Sequence, residues 1–186
     1  MPAPTVQALI CHPDTPPAFA CEIRVEVMPL PGGNLSLRYR LRADPARLRI
    51  PAQSPASGRV DGLWRHTCCE LFLAEPAGTG YREFNFSPSG LWHAYIFSAY
   101  RDGGPLEPVS APSIRVDTRT DGLDLSVLLP AAAPAPDTRC RLGLSMVLEA
   151  DDGALSYWAL RHAPGKPDFH HPDTFALEID LRNPQP

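Results

Sequence analysis

The 186-residue chain lacks several features that would assign it to a class at once. Its lysines and arginines do not cluster, and its formal net charge is -4, which argues against a nucleic-acid partner because phosphate binding needs grouped basic residues. No apolar run approaches the ~20 residues that span a bilayer. The first basic residue, Arg24, comes too late for a signal peptide. These absences predict a cytoplasmic protein that binds neither nucleic acid nor membrane.

Paired cysteine motifs and helical periodicity are also missing. The five cysteines include the neighbours Cys68 and Cys69 but no C-x-x-C pair, which argues against a disulfide framework and a zinc ribbon. No window of a dozen residues repeats apolar positions at helical spacing without a proline or glycine, and proline is abundant at 23 residues. We therefore expect very little helix, no bound metal and reduced, buried cysteines. The sequence names no cofactor.

Alternation of apolar and polar residues is the recurring signal, and it is clearest at 34–42. Proline, glycine, asparagine or aspartate stands at almost every join between such segments. The further predicted strands are 6–11, 21–28, 68–74, 81–87, 91–98, 113–118, 123–129, 139–149, 155–161 and 174–181. The pattern predicts one all-β domain over 1–186, an antiparallel β-sandwich of jelly-roll-like or immunoglobulin-like type. The Ala/Pro stretch 130–136 is predicted to be a surface loop.

The segment 81–97 contains a turn that predicts a strand register. Ser87-Pro-Ser-Gly90 suits a type I turn, because proline presets φ at the second position and glycine accepts a left-handed conformation. Ser87 then lies opposite Leu91. The predicted pairs are Phe86–Trp92, Asn85–His93, Phe84–Ala94, Glu83–Tyr95 and Tyr81–Phe97.

This register sorts the hairpin into two faces. The face predicted to be core carries Phe84, Phe86, Trp92, Ala94 and Ile96. The other face carries Tyr81, Glu83, Asn85, His93, Tyr95 and Phe97. Aromatic rings mixed with a carboxylate, an amide and an imidazole suit a polar ligand with apolar patches, and sugars are such ligands. The alternative is a partly covered outer sheet face with Glu83 in solvent.

Glu70 interrupts an otherwise apolar predicted strand, 68–74. A carboxylate in such a position is costly unless it is paired or liganded. Its expected partner is Arg101 or a ligand hydroxyl, and both alternatives stay open.

Three motifs give the chain a family resemblance. GLWRHTCCELFL at 62–73, YREFNFSPSG at 81–90 and AYR at 99–101 resemble the DOMON-like domains related to the family 9 carbohydrate-binding modules. The resemblance implies a β-sandwich, with sugar binding in some branches and b-type haem binding in others. It marks Trp64, Glu70, Glu83 and Asn85 as matching the family pattern, and Trp158 as standing where a late aromatic often occurs.

Two positions bear on which branch applies. His66-Thr67 stands where the sugar modules commonly carry an acidic residue. For haem, Met146 is in phase with Leu144 and Leu148, which favours a core position over an axial ligand.

The segment 162–173 between two predicted strands holds three histidines, two aspartates and one lysine. Long loops in compact domains tend to be functional. Lys166, Asp168 and His170 are candidates for ligand contact from the rim, or for acid–base work with a nearby carboxylate. The alternative is that the loop residues only bond to one another at the end of the sandwich. Their spacing fits no standard zinc pattern.

We therefore predict a non-catalytic module that binds a small polar ligand, with a saccharide as the leading candidate. The predicted ligand-binding residues are Trp64, Glu70, Tyr81, Glu83, Asn85, His93, Tyr95, Arg101, Trp158, Lys166, Asp168 and His170. The alternatives are an enzyme acting on a sugar-like metabolite, a haem-binding domain and a protein-interaction domain. A closed pocket in which the loop reaches Glu70 favours an enzyme, an open aromatic groove favours binding, and a flat apolar patch favours a protein partner.

Overall fold

The computed structural model describes residues 3–56, 58–74, 78–107, 109–130 and 139–181. These residues form strands and four short 3₁₀-helices, with no α-helix among them. The strands are β1 Thr5–Ala8, β2 Ile10–Cys11, β3 Cys21–Leu30, β4 Asn34–Ala43, β5 Cys68–Ala74, β6 Tyr81–Phe86, β7 Trp92–Ala99, β8 Asp102–Pro105, β9 Ser113–Arg119, β10 Gly122–Leu129, β11 Arg139–Glu149, β12 Leu155–Ala159 and β13 Leu177–Asp180. The 3₁₀-helices are Pro31–Gly33, Pro45–Arg47, Leu63–Arg65 and Pro172–Thr174.

The strands make two sheets whose named strands pair antiparallel. One sheet has five strands in the order β1-β3-β4-β10-β9, and the other has eight, β2-β12-β11-β5-β6-β7-β8 with β13 beside β11. The predicted β-sandwich with very little helix is therefore confirmed. The predicted strand 6–11 is divided between the sheets, because β1 pairs with β3 and β2 pairs with β12. The predicted loop 130–136 lies, from residue 131 on, outside the described residues.

The core lies between the sheets and is built by the alternation read from the sequence. On β4 the side chains of Leu35, Leu37, Tyr39 and Leu41 all point inward and are fully buried. Burial of each such side chain stabilises the fold by about 1.5–3 kcal/mol. Tyr39 also donates its O–H to the Glu70 carbonyl at 2.7 Å, so one sheet holds the backbone of the other at that position.

The predicted hairpin register is confirmed at every pair. The Gly90 N–H donates to the Ser87 carbonyl at 3.0 Å, and Gly90 takes φ +85, the left-handed conformation that its turn position requires. The prediction that Ile96 belongs to the core is wrong, since this side chain is 44% exposed. The inward side of β7 is covered only as far as Ala94, and Ile96 pairs with Gly104 of the edge strand β8.

Residues next to one another on a strand point to opposite faces, as the cysteine pair shows. Cys69 lies in the core between the sheets, and Cys68 is buried on the outer face of the eight-stranded sheet.

Met146 is a core residue, as its phase predicts. No helix among the described residues is long and apolar enough to cross a membrane.

The outer face of the eight-stranded sheet carries a second, smaller apolar cluster. Its strand residues include Phe72, Tyr81 and Val147, and the segment between β12 and β13 adds Phe169 and Phe175. The Phe72 and Phe175 rings stack with 5.8 Å between centroids. This packing holds the histidine-rich segment over the sheet face and creates the walls of a cavity.

Candidate functional site

A cavity of about 560 Å³ lies on the outer face of the eight-stranded sheet. The sheet forms its floor, the segment around Asp61 and Trp64 forms one wall, and the segment 167–170 forms another. Strand β8 closes the sheet edge. The lining residues are Asp61, Trp64, Glu70, Glu83, His93, Tyr95, Phe97, Arg101, Gly103, Gly104, Pro105, Val147, Tyr157, Pro167, Asp168, Phe169 and His170.

Four polar side chains form a continuous row across four strands of this face. Ser145 of β11 pairs with Glu70 of β5, Glu70 pairs with Asn85 of β6, and Asn85 pairs with His93 of β7. All four are at least nine-tenths buried. Each has one buried polar atom without a hydrogen-bond partner, namely Ser145 Oγ, Glu70 Oε1, Asn85 Oδ1 and His93 Nδ1. An unpartnered buried polar atom costs about 1–3 kcal/mol, so a row of four is expensive for folding alone.

A second set of contacts joins the floor to the loop. The Asn85 side-chain amide donates to Glu83 Oε1 at 2.8 Å, and His170 Nε2 lies 3.7 Å from Glu83 Oε2. On its other side, His170 Nδ1 is 2.9 Å from the Tyr81 hydroxyl, which accepts the Arg101 backbone N–H at 3.1 Å. In the arrangement where Tyr81 donates its proton to Nδ1, the neutral His170 carries its own proton on Nε2, which faces Glu83.

Burial dominates the electrostatics of these groups. Burial and the charge of Glu83 hold the pKa of Glu70 well above its usual range. Burial also raises the pKa of Glu83 to about 7, against the hydrogen bond from Asn85. It lowers the pKa of His170 to about 4, with a contribution from Arg101. At neutral pH this imidazole is therefore uncharged, and both carboxyl groups hold their protons to a higher pH than a free glutamate does.

Aromatic and charged contacts build the rim. Tyr95 stacks on His93 with 4.2 Å between centroids, meets Trp64 edge to face at 5.9 Å, and donates its hydroxyl to Asp61. Trp64 is 38% exposed at the cavity mouth. These contacts order the ring of Tyr95 between the floor and the solvent.

The opposite rim is held by an ion pair. Arg101 Nη2 bonds Asp168 Oδ1 at 2.8 Å, and the Tyr100 hydroxyl donates to Asp168 Oδ2 at 2.6 Å. Arg101 has φ +56, a left-handed conformation that costs a non-glycine residue about 1–2 kcal/mol. The strained residue is therefore Arg101, whose ion pair with Asp168 connects the end of strand β7 to the loop 162–173.

The structure brings together most of the residues predicted from the sequence. Eight of them line the cavity: Trp64, Glu70, Glu83, His93, Tyr95, Arg101, Asp168 and His170. Asn85 and Tyr81 lie beneath the lining and hold Glu83 and His170. Of the two partners predicted for Glu70, Arg101 is wrong, because Arg101 pairs with Asp168, and a ligand hydroxyl stays a prediction.

Two predicted site residues lie elsewhere. Trp158 belongs to the core between the sheets, where its indole N–H donates to Ser156 Oγ at 2.9 Å, because its position on β12 points inward. Lys166 is exposed near the tip of its loop and does not line the cavity.

Several lining residues were not predicted. Tyr157 was within reach of the sequence pattern, since a neighbour of an inward Trp158 must point outward. Asp61 gave no signal, and β8 reads as a turn because its sequence is Asp-Gly-Gly-Pro. Gly103 is required there: a Cβ would stand 2.1 Å from the Ile96 carbonyl oxygen, so only glycine lets β8 lie against β7.

Among the described residues, no three histidine, cysteine, aspartate or glutamate side chains are placed to hold a metal ion. The histidines of the loop have separate partners. His162 Nε2 bonds the Ile10 carbonyl, and His171 Nδ1 accepts the Asp173 N–H.

His66 and Thr67, where the sugar modules carry an acidic residue, both bond Glu149, so they join β5 to β11.

Two solved structures share this architecture. One is a Bacteroides uniformis protein whose proposed role is carbohydrate binding, with a TM-score of 0.62 and 13% identity over 91% of this chain and 83% of that one. The other is a family 9 carbohydrate-binding module of Caldicellulosiruptor kristjanssonii in complex with cellotriose, with a TM-score of 0.56 and 8% identity over 84% and 74%.

The fold is that of a family 9 carbohydrate-binding module. At such identities the likeness concerns the fold. The resemblance to family 9 modules noted in the sequence is confirmed at that level, and the DOMON-like relation stays a prediction. No protein-family model and no curated protein matches the chain.

Proposed function

We propose that the chain is a non-catalytic module that binds a small saccharide, or a ligand of similar polarity, in this cavity. The polar row carries the proposal: Glu70 and His93 line the cavity with unpartnered atoms, and Ser145 and Asn85 lie beside them beneath the lining. Unpartnered polar atoms in native proteins are few, and a bound ligand is one of the partners that complete them. Vicinal hydroxyl groups both donate and accept, and they are spaced closely enough to engage neighbouring side chains of one row.

The surroundings of the row support a saccharide. The cavity volume of about 560 Å³ lies in the range of small-molecule sites. Tyr95, Tyr157 and Phe169 present rings on which the C–H face of a sugar packs, and Trp64 adds an exposed ring at the mouth. The cellotriose bound by the C. kristjanssonii module points the same way. The aromatic face is recessed under the loop, which argues against a flat protein interface.

A second candidate function, acid–base chemistry on a saccharide, is favoured by the contact of His170 with Glu83. The loop does share the cavity with Glu70, and Glu83, with its pKa raised to about 7, is the group that would exchange a proton. We rank this function second because His170 bonds Tyr81 on one side and its pKa is lowered to about 4, so the imidazole holds no extra proton to give at neutral pH. Mass spectrometry of an oligosaccharide recovered after long incubation separates the two. Cleaved ligand establishes an enzyme, and intact bound ligand supports a binding module.

A thermal-shift and calorimetric screen of mono- and disaccharides tests the proposal. A ligand that binds only the folded chain, at a hundred times its Kd, adds about 2.7 kcal/mol to the free energy of unfolding. Trp64→Ala is expected to weaken binding of the same saccharide about tenfold, by removing a stacking ring at the mouth. Leu128→Ala, an exposed apolar position on the other sheet, is the matched control and is expected to bind normally. The proposal fails if no saccharide raises the transition, or if Trp64→Ala binds like the control.

A further inference from the structure

We infer that the ligand of this cavity carries a positive charge, and that Glu70 receives its protonated primary amine, as in an amino sugar. The inference rests on the proposed function and adds the charge class of the ligand to it. Three independent features carry it: the balance of charged groups in the lining, the unpartnered oxygen of Glu70, and the aromatic rings around it.

The lining is acidic, and its one cation is already committed. Of the described lining residues, four are carboxyl groups, Asp61, Glu70, Glu83 and Asp168, and one is the guanidinium of Arg101. Arg101 pairs with Asp168 at 2.8 Å, and Asp61 accepts the Tyr95 hydroxyl. No described lysine or arginine lies within ion-pair distance of Glu70 or Glu83.

The histidines of the lining do not supply the positive charge that its carboxyl groups lack. Burial, followed by the charge of Arg59, lowers the pKa of His93, and the pKa of His170 is lowered to about 4. Both imidazoles are therefore neutral at neutral pH. A ligand with its own negative charge enters a site of the same sign, whereas an ammonium group supplies the missing cation.

Glu70 is the best-placed receptor for such a group. Its side chain is 3% exposed, lines the cavity and keeps Oε1 without a partner. The hydrogen bond from Tyr39 to the Glu70 carbonyl holds the backbone at this position. Ser145 Oγ and Asn85 Oδ1, also unpartnered, flank it in the row beneath the cavity lining. An ammonium group has three N–H donors and no acceptor, which matches the unpartnered carboxyl oxygen of Glu70.

The aromatic residues add to the same preference. Trp64, Tyr95, Phe97, Tyr157 and Phe169 line the cavity. The negative faces of aromatic rings attract cations, and sites that bind organic ammonium ions combine such rings with carboxylates. Rings alone serve a neutral sugar equally well, but rings beside carboxyl groups that have no lysine or arginine partner favour a ligand with a positive charge.

Binding of an ammonium group has a proton signature. Burial and the charge of Glu83 hold the pKa of Glu70 above its usual range in the free chain. A cation beside it favours the ionised form, so the complex releases a proton and the affinity rises with pH while the amine stays charged. A neutral sugar brings no charge and releases none. The other titratable groups that line the site are Asp61, Glu83, His93, Tyr95, Arg101, Tyr157, Asp168 and His170. Tyr39, Cys68 and Cys69 also lie close to Glu70.

Calorimetry with matched sugars tests the inference. The probes are glucose, galactose and mannose, their 2-amino derivatives, N-acetylglucosamine and glucuronate, titrated at about pH 6, where a primary amine is protonated. In the wild type, one 2-amino sugar is expected to bind at least about tenfold tighter than its parent hexose. N-acetylglucosamine, which has no charge, is expected to lose this gain, and glucuronate to bind weakest. Titration in two buffers of different ionisation enthalpy is expected to show proton release with the 2-amino sugar alone.

The variant Glu70→Gln separates this inference from the proposed function. It keeps the shape of the side chain, and it is expected to bring the 2-amino sugar to within about threefold of its parent hexose and to abolish proton release. A melting transition checks that the variant is folded. Equal affinity of hexose and 2-amino sugar in the wild type overturns the inference and leaves the proposed function standing. A preference that survives in Glu70→Gln overturns it too, and a panel in which nothing binds overturns both.

Discussion

Replacing Glu83 by glutamine is expected to stabilise the chain by about 3 kcal/mol at about pH 8, and to change its stability little at about pH 4. Glu83 is 5% exposed, and burial raises its pKa from 4.5 to about 7. The unfolded chain ionises this carboxyl near its usual pKa, while the folded chain holds the proton to about 7. Rising pH through this window therefore favours the unfolded wild type. Each pKa unit corresponds to about 1.4 kcal/mol, which gives the size of the effect.

Glutamine has the shape of the protonated carboxyl but cannot ionise, so the effect appears as a difference between the two chains that grows from about pH 4 to about pH 8. Urea unfolding of both chains across this range measures it. The groups that act on Glu83 include Glu70, Asn85, Tyr81, Tyr95, His170 and the charges of Arg101 and Asp61, and all are present in both chains. Glu178→Gln, at an exposed position of β13, controls for the amide itself. A difference that does not depend on pH contradicts the assignment of Glu83 as a destabilised, functional carboxyl.

The opposite result is expected at Asp124, a buried carboxylate on the far side of the molecule. Asp124→Asn is expected to lower the free energy of unfolding at neutral pH by about 2 kcal/mol. The Asp124 side chain is 1% exposed and binds Arg38, Arg42 and Arg119 at 2.7–2.8 Å. Burial alone raises its pKa, but the three hydrogen bonds outweigh burial and lower it to about 2.

Asp124→Asn destabilises the chain because folding lowers the pKa of Asp124. A lowered pKa means that stability is present above the usual value of 3.8 and is lost as the pH falls through about 2, so the difference between variant and wild type shrinks in acid. Denaturant unfolding at several pH values measures this. Asp117→Asn is the matched control, because Asp117 pairs with Asp124 across β9 and β10 and, among the described side chains, forms an ion pair with the exposed Arg115 alone. Its effect is expected to stay within about 0.5 kcal/mol, and equal losses in the two variants contradict the account.

The buried carboxyl groups explain how the outer faces of the two sheets differ. Asp124 is buried with every oxygen bonded to arginine, as a structural carboxylate must be. Glu70 and Glu83 are buried together without a cation, an arrangement that lowers stability. Groups with such perturbed pKa values cluster at functional sites, and ligand binding in the cavity above this pair is the reason that we propose for them.

Local chemistry explains which parts of the fold were predictable. The Ser-Pro-Ser-Gly turn determines the hairpin register, and alternation then places Glu83, Asn85, His93 and Tyr95 on one face. Glu70 shares that face because the β5–β6 register sets it opposite Asn85. These steps use only contacts between neighbouring strands, which leave a trace in the sequence.

The wrong predictions concern residues whose surroundings depend on contacts between segments that are distant in the sequence. Ile96 alternates like a core residue, but no part of the other sheet covers it. Arg101 was expected to pair with Glu70 and instead meets Asp168, which packing of the loop around Phe169 brings within reach. Trp158 was assigned by family position, whereas its phase on β12 points into the core.

Chemical-shift mapping tests the central claim, that the polar row on the outer face of the eight-stranded sheet is a ligand site. The wild-type chain is titrated with glucose, galactose, mannose and their 2-amino derivatives while ¹H–¹⁵N spectra are recorded. We predict that a binding sugar shifts the Asn85 side-chain amide and the backbone amides of Glu70 and His93, and leaves Ser126 on the opposite sheet unchanged. Spectra in which these floor resonances stay in place, while those of the five-stranded sheet move or none move, contradict the claim.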